Sequence, residues 1–242
     1  MDGLIRKRLA AFPDPAELER LRRQAAGIRS DALARLPELL EQLEHNCSRN
    51  GIRVHWAETV DEANAIVLGI MRDHDARMLI KGKSMVSEEM ELNRFLERHG
   101  IECLESDLGE FIIQLVGEAP SHIIAPAIHK NRHQVAQIFR DKFPEIPYTD
   151  DIEQLTRNAR GILRRRFQQA PVGLSGVNFA VAETGTLCLV ENEGNGRMCT
   201  TVPPVHIAVT GIEKVVERLA DIPPLLDILV RSATGQPIST YF

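Results

Sequence analysis

The sequence lacks the cysteine spacing that metal clusters require. Its 242 residues include four cysteines, Cys47, Cys103, Cys188 and Cys199. No two of them show the two-residue spacing of zinc knuckles, redox pairs or iron–sulfur runs. We therefore expect no metal site and no cofactor within this chain.

Long apolar runs, basic charge and aromatic residues are also scarce. The longest apolar runs, 111–116 and 121–128, fall far short of the ~20 residues of a membrane helix, and the first residues contain no secretory signal. The net charge of −5 and the aromatic content of 5% argue against nucleic-acid binding. These absences predict a cytoplasmic protein with no membrane span, whose partner is a small molecule or another protein.

The hydrophobic residues that are present suffice for a globular core. They make up 43% of the chain, and the length is typical of one large domain or one domain with an appendage. Apolar positions at helical spacing predict a helical N-terminal extension over residues 1–50. One α/β domain is expected over residues 51–242.

Short apolar strands alternate with amphipathic helices from residue 51 onward. This alternation predicts crossover units, and hence a mostly parallel sheet flanked by helices with a strand-rich second half. Residues 183–185 are expected to form a hairpin laid on the same sheet. The predicted strands are 52–56, 78–81, 101–104, 122–125, 177–182, 186–191 and 205–209, with a final extended segment at 237–241.

The first candidate site is the segment Lys81-Gly82-Lys83-Ser84, which leaves a predicted strand and enters a helix. A helix start with backbone N–H groups, a hydroxyl and two lysines is suited to an anion. The phosphate-loop pattern is incomplete, because Arg77 stands where its first glycine would be. The alternative interpretation is a serine-capped turn with solvated lysines.

The second candidate is a region of glycines and small polar residues between strands, where a ligand can approach the backbone closely. Glu183 follows a strand, and such a carboxylate can act as nucleophile or base, while Arg197 could clamp a carboxylate or phosphate. The alternative is that the glycines form hairpin turns and Glu183 is solvated. The candidate residues are Asn178, Glu183, Thr184, Gly185, Thr186, Asn195, Gly196 and Arg197.

The third candidate is His129-Lys130-Asn131, at the start of a predicted helix where an anionic ligand could bind. His129 and His133 have the spacing of a metal-binding pair, but no third ligand is nearby in the sequence, so no metal site is predicted. The arginine-rich helix over residues 157–166 presents either a solvated face or a docking surface for a partner.

Together these segments resemble the lactate-utilisation (LUD) domain family, specifically its iron–sulfur subunit. The similarity covers the chain from about Pro13 onward. It implies a fold like that of the sugar-phosphate isomerase and CoA-transferase group. The stretches that carry it are residues 81–89, His129 to Asn131, 176–186 and 192–197.

The resemblance implies a role in a complex that oxidises L-lactate to pyruvate together with other lactate-oxidation subunits. In that subunit a ferredoxin-like segment with two four-cysteine runs for [4Fe–4S] clusters follows the LUD region. These 242 residues contain no such runs. Two explanations follow, that the chain was cut before that segment or that the protein lost it, and we expect the first.

The three candidate segments all follow predicted strand ends, where α/β sheets bind ligands. The leading hypothesis is a LUD domain that binds a small anionic ligand there or docks partner subunits. One alternative is an independent CoA- or phosphoryl-transfer enzyme with Glu183 as nucleophile. This alternative rests on analogy with the CoA-transferases. A docking scaffold built on the arginine-rich helix is the other.

Overall fold

A computed structural model describes residues 2–119, 121 and 125–236. The helices of this part are α1 (Asp2–Ala11), α2 (Pro15–Ala34), α3 (Leu36–Arg49), α4 (Val60–Asp73), α5 (Met85–Glu89), α6 (Leu92–Arg98), α7 (Leu108–Val116), α8 (Arg132–Lys142), α9 (Ile152–Gln169), α10 (Asn195–Thr201) and α11 (Ile222–Thr234). The strands are β1 (Met78–Lys81), β2 (Glu102–Glu105), β3 (Val172–Gly176), β4 (Phe179–Val181), β5 (Thr186–Cys188), β6 (Val205–Val209) and β7 (Val215–Val216). Short 3-10 helices span Ile212–Lys214 and Leu219–Asp221.

The described residues form two compact units, one of which is built on a four-stranded parallel sheet. This unit comprises residues 57–176 and 193–209 within the described part. Its strand order is β2-β1-β3-β6, and every neighbouring pair is parallel. The prediction of an α/β fold with a mostly parallel sheet is thereby confirmed.

The parallel sheet is covered by apolar side chains on both faces. Leu79 and Cys103 belong to a core packed with helices α4 and α6, whereas Ile80 and Leu104 pack with α7, α8 and α9. Successive residues of a strand point to opposite faces, so two-sided burial requires the continuous apolar runs found here. The parallel strands also bring their carboxyl ends to one edge of the sheet.

The second unit, residues 2–56, 177–192 and 210–236 of the described part, is built on a smaller sheet with the order β5-β4-β7. Helices α2 and α11 contribute Ala25, Ile28 and Leu225 to the core that packs on this sheet. The predicted N-terminal helices are confirmed, and α2 begins at Pro15 with Asp14 as its N-cap.

The predicted hairpin is present, but its position in the fold differs from the prediction. Strands β4 and β5 are antiparallel, with Val181 opposite Thr186. They belong to the three-stranded sheet, however, and not to the parallel one. Local turn chemistry specifies a hairpin, but which sheet it joins depends on partners that are remote in sequence, here β7.

One predicted strand is absent from the described part of the structure, and one observed strand was not predicted. Residues 52–56 form no strand although their apolar residues alternate, and Trp56 is exposed while its Nε1 donates to Glu44. Strand β3 was not predicted, since two of its five residues are glycine, which weakens strand propensity. Residues 122–124 and 237–241, where extended structure was expected, lie outside the described residues.

No helix in the described ranges combines the length and the apolar character needed to cross a membrane.

The contact between β3 and α10 yields a stability prediction. A Cβ added at Gly173 would lie 2.0 Å from the carbonyl oxygen of Cys199 and 3.0 Å from Cγ of Pro203. The Cys199 carbonyl oxygen belongs to the backbone, so it cannot move aside as a flexible side chain could. Gly173→Ala should therefore lower the free energy of unfolding by about 3 kcal/mol, measured by urea denaturation. Gly69→Ala in α4 is the matched control, since its Cβ would meet nothing within 4 Å and alanine favours helix. Wild-type stability of Gly173→Ala would contradict this packing.

Candidate functional site

Two charged residues end neighbouring strands at the carboxyl edge of the parallel sheet. Lys81 ends β1 directly opposite Glu105, which ends β2. Strand alternation directs both side chains to the face that carries Leu79 and Cys103, so the apolar core continues into an ion pair. Lys81 is 0% exposed and Glu105 is 4% exposed.

The Lys81 ammonium is held between two carboxyl groups. Its Nζ donates to Glu105 Oε1 and to Glu88 Oε1, each at 2.7 Å. Burial by itself would lower the pKa of Lys81, but the charges and hydrogen bonds of Glu105 and Glu88 raise it overall. Lys81 therefore remains protonated. This buried cation organises the site and is unsuited to act as a nucleophile.

Glu105 has a second side-chain partner and an unusual electrostatic environment. Asn93 Nδ2 donates to Glu105 Oε1 at 2.6 Å, while Glu105 Oε2 is buried with no hydrogen-bond partner among the described residues. Burial raises the pKa of Glu105, and the nearby Lys81 charge opposes this shift. Strongly perturbed carboxyl groups in such positions often mark functional sites.

Lys83 and Ser84 follow β1 at the same edge. Lys83 Nζ lies 3.5 Å from Glu110 Oε1 on α7, is itself buried, and has no hydrogen-bond partner in the described part of the chain. Burial also raises the pKa of Glu110, with Glu105 adding to the effect. Ser84 caps α5 by accepting a hydrogen bond from Ser87 N. We call Lys81, Lys83, Glu88, Asn93, Glu105 and Glu110 the carboxyl-edge cluster.

Two residues of the glycine-rich segment lie at this same edge. A Cβ added at Gly82 would lie 3.4 Å from Cα of Gly196, so the two backbone segments pack closely. Asn195 Nδ2 donates to Ser106 Oγ at 3.4 Å, and Ser106 Oγ donates to the Lys81 carbonyl oxygen at 2.7 Å. Arg197 is exposed on α10.

The residues of the third candidate segment form a separate polar group. His129 Nε2 lies 2.9 Å from Glu118 Oε2, and Lys130 also pairs with Glu118. These contacts lower the pKa of Glu118, with Lys130 the larger cause. Asn131 forms a capping box with Gln134 at the start of α8. Local structure thus occupies all three predicted ligand-binding side chains.

Glu183 and its neighbours belong to the unit that contains the three-stranded sheet. Glu183 Oε2 accepts a hydrogen bond from Leu219 N at 2.9 Å. Gly185 has a φ of 68°, and a Cβ there would lie 2.6 Å from the Asn46 carbonyl carbon, so the turn requires glycine. Thr184 Oγ1 donates to Thr186 Oγ1 at 2.8 Å. Asn178 Oδ1 accepts from Val190 N at 2.8 Å.

The four cysteines are divided between the two units. Cys47 and Cys188 belong to one unit, and Cys103 and Cys199 to the other. Burial raises the pKa of Cys103 to about 12 and also raises that of Cys47 and Cys188, which disfavours the thiolate that metals need. Within the described ranges, no group of three or more histidine, cysteine or acidic residues could hold a metal ion.

The arginine-rich helix α9 carries both ion-paired and exposed arginines. Arg157 pairs with Glu153, and Arg166 pairs with Glu102. Arg160, Arg164 and Arg165 are exposed, as either a solvated face or a docking surface requires.

Sequence reasoning missed Glu105, Asn93 and Glu110. Glu105 follows the predicted strand 101–104 directly, just as Lys83 and Ser84 follow β1. A polar residue at the carboxyl end of a parallel strand was therefore a signal that could have identified it. Nothing in the local sequence distinguishes Asn93 or Glu110 from other polar residues of amphipathic helices.

Fold and site together define an α/β protein with a buried charged cluster at the carboxyl edge of a parallel sheet. A family model described as the LUD domain matches residues 40–242. The chain therefore belongs to the LUD domain family, as its motifs indicated.

Several relatives match nearly the whole chain. Lactate utilization protein B of Bacillus velezensis is 41% identical over 241 residues, which cover 99% of this chain and 50% of the relative. The protein named "Uncharacterized electron transport protein YkgF" from Escherichia coli is 42% identical over 227 residues, covering 92% of this chain and 47% of the relative. The chain spans about half the length of these curated relatives. No solved structure matches it.

The bond made by Glu183 allows a test of its structural role. Glu183→Ala removes the acceptor of Leu219 N and should lower the free energy of unfolding by about 1 kcal/mol, whereas Glu183→Gln retains an acceptor and should lose less. Urea denaturation measures both, with Glu41→Ala on the exposed side of α3 as control. If Glu183→Ala, Glu183→Gln and Glu41→Ala all have the same free energy of unfolding, the bond from Leu219 N to Glu183 does not contribute to stability.

Proposed function

We propose that this chain is the LUD domain of a lactate-utilisation protein, and that it binds a small anionic ligand through Lys83 at the carboxyl edge of the parallel sheet. The relatives' names support the first part, since one of them reads lactate utilization and another electron transport. The observation that carries the second part is the Lys83 ammonium, which is buried without a hydrogen-bond partner in the described structure.

A buried ammonium without hydrogen bonds costs free energy that a ligand oxygen would recover. Glu110, at 3.5 Å, competes with such an anion only while it is charged. Because burial raises the pKa of Glu110, this carboxyl gives up its charge more readily than a solvated one. Lys83 also lies just beyond the end of β1, the position at which α/β sheets bind ligands.

We further infer that the chain acts within a complex that oxidises L-lactate to pyruvate, with other lactate-oxidation subunits as partners. No two cysteines of this chain show the spacing of iron–sulfur runs, so we assign the [4Fe–4S] chemistry of this proposal to protein outside these 242 residues. Electron transfer is then not a task of the carboxyl-edge cluster, whose part is to bind and orient an anion.

Replacing Lys83 tests the binding proposal. Binding of L-lactate and of inorganic phosphate to the purified chain is measured by isothermal titration calorimetry. Lys83→Gln should weaken binding of the preferred probe about 10- to 100-fold, the loss expected for one charge-assisted hydrogen bond. Lys142→Gln, which removes an exposed lysine near the end of α8, is the matched control and should bind as wild type does.

The same variants, placed in the full-length product of the gene, test the functional proposal. L-lactate-dependent reduction of an artificial electron acceptor should fall in Lys83→Gln and persist in Lys142→Gln. Binding that is unchanged in Lys83→Gln would refute the anion site. If the full-length wild-type protein and its partner subunits oxidise no L-lactate, the lactate role is wrong even where the anion site is real.

A further inference from the structure

Two buried acceptor atoms in adjacent side chains lack donors. They are Glu105 Oε2 and Asn93 Oδ1, and neither has a hydrogen-bond partner among the described residues. Their side chains are already joined, because Asn93 Nδ2 donates to Glu105 Oε1 at 2.6 Å. If Glu105 were a carboxylate, both atoms would stay unsatisfied, and each unsatisfied buried acceptor is destabilising.

We propose that Glu105 is a proton-binding site, held in the folded protein as a neutral carboxylic acid whose Oε2–H donates to Asn93 Oδ1. The carboxyl group of Glu105 and the amide group of Asn93 are each planar and each carry two polar atoms on one carbon. When the two groups are coplanar, the bond from Asn93 Nδ2 to Glu105 Oε1 also brings Glu105 Oε2 next to Asn93 Oδ1. One proton then satisfies both acceptors. The result is an acid–amide pair joined by two parallel hydrogen bonds.

Titratable groups from four elements surround Glu105. Lys81 approaches from β1, Glu88 from α5 and Glu110 from α7, while the Cys103 thiol lies on β2. Glu88 is half-exposed and pairs directly with Lys81, so Lys81 keeps a charged partner when Glu105 is neutral.

Hydrogen bonds to the backbone hold Glu105 in place on the α7 side. Its N–H donates to Gln114 Oε1 at 3.0 Å, and Gln114 Nε2 donates to the Cys103 carbonyl oxygen at 2.6 Å. Burial raises the pKa of the Glu105 carboxyl, Glu88 adds to this effect, and Lys81 and Asn93 oppose it. The two unsatisfied acceptors and the raised pKa both favour the protonated form of Glu105.

A surface pocket lies beside the Glu105–Asn93 pair. It has a volume of about 210 Å³ and is lined by Ser87, Glu88, Glu91, Leu92, Asn93 and Arg94. A water molecule occupies about 30 Å³ in the liquid, so several waters fit there. Asn93 lines the cavity and touches Glu105, and the half-exposed Glu88 touches Lys81. The proton site is thus buried but close to a water-sized space.

The protonation of Glu105 has a defined consequence for stability. A carboxyl group whose pKa is raised on folding binds more protons in the folded state than in the unfolded state, over the interval between the two pKa values. The free energy of unfolding that protonated Glu105 contributes is therefore fully present below its ordinary pKa of 4.5. This contribution declines as the pH rises toward the pKa of Glu105 in the folded protein. An ordinary ion-paired glutamate would behave in the opposite way.

Infrared spectroscopy of the chain labelled with ¹³C-glutamate tests the proposal directly. At neutral pH the wild-type protein should show the C=O stretch of a protonated carboxylic acid, and Glu105→Gln should lose it. Because burial also raises the pKa of Glu110, Glu110→Gln is measured in parallel and should retain the Glu105 band. Asn93→Ala should shift the band to higher frequency, since the acid loses its acceptor.

Thermal unfolding as a function of pH provides the second readout. Glutamine resembles the neutral acid and can donate to Asn93 Oδ1, so Glu105→Gln should unfold at the wild-type temperature or above it at neutral pH. It should also lack the decline of stability with rising pH. Glu89→Gln, which removes an exposed carboxylate on α5, is the matched control and should keep the wild-type pH dependence.

Absence of the acid band in wild type, or a clear drop in the unfolding temperature of Glu105→Gln at neutral pH, would overturn the proposal. Either result would identify Glu105 as an ionised partner of Lys81. None of these measurements involves lactate or an anion, so the outcome is independent of the proposed function.

Discussion

The burial of the Lys81 ammonium is the constraint on which the carboxyl edge of the parallel sheet depends. A fully buried cation is tolerated only when an opposite charge and hydrogen bonds replace its water. Here Glu105 comes from the neighbouring strand and Glu88 from the following helix. One side chain thereby ties β1, β2 and α5 together at the point where the strands end. Asn93 adds α6 to the same network through Glu105.

This arrangement gives the two lysines of one short segment different roles. Lys81 has its charge satisfied inside the protein, whereas the ammonium of Lys83 is buried beside Glu110 without a hydrogen bond in the described structure. The first is suited to holding the site together and the second to meeting an anion. The same contrast applies elsewhere. Asn131 caps α8 and Glu183 accepts a backbone hydrogen bond, so each of these side chains has a structural contact within the chain.

Sequence patterns anticipated those parts of the fold that depend on local periodicity. Strand β1 was predicted with its observed bounds, and helices were predicted within residues 1–50, because apolar spacing lies within the segments themselves. Strand β3 escaped prediction although it lies between β1 and β6. Its glycine at position 173 reflects the close approach of α10, which no local pattern reveals. Lys83 and Ser84 were identified because they follow a predicted strand in the sequence. Asn93 and Glu110 were recognisable only from the residues that they contact in the folded protein.

The sequence by itself determined the class of the fold, the parallel sheet and membership of the LUD domain family, because periodicity and ordered motifs are properties of the chain. Tertiary structure alone decided which charges are buried, which of them are paired, and which sheet the hairpin joins. The physical reason is desolvation. The protonation and hydrogen bonding of a carboxyl such as Glu105 depend on how much water its neighbours exclude, and those neighbours come from segments far apart along the chain.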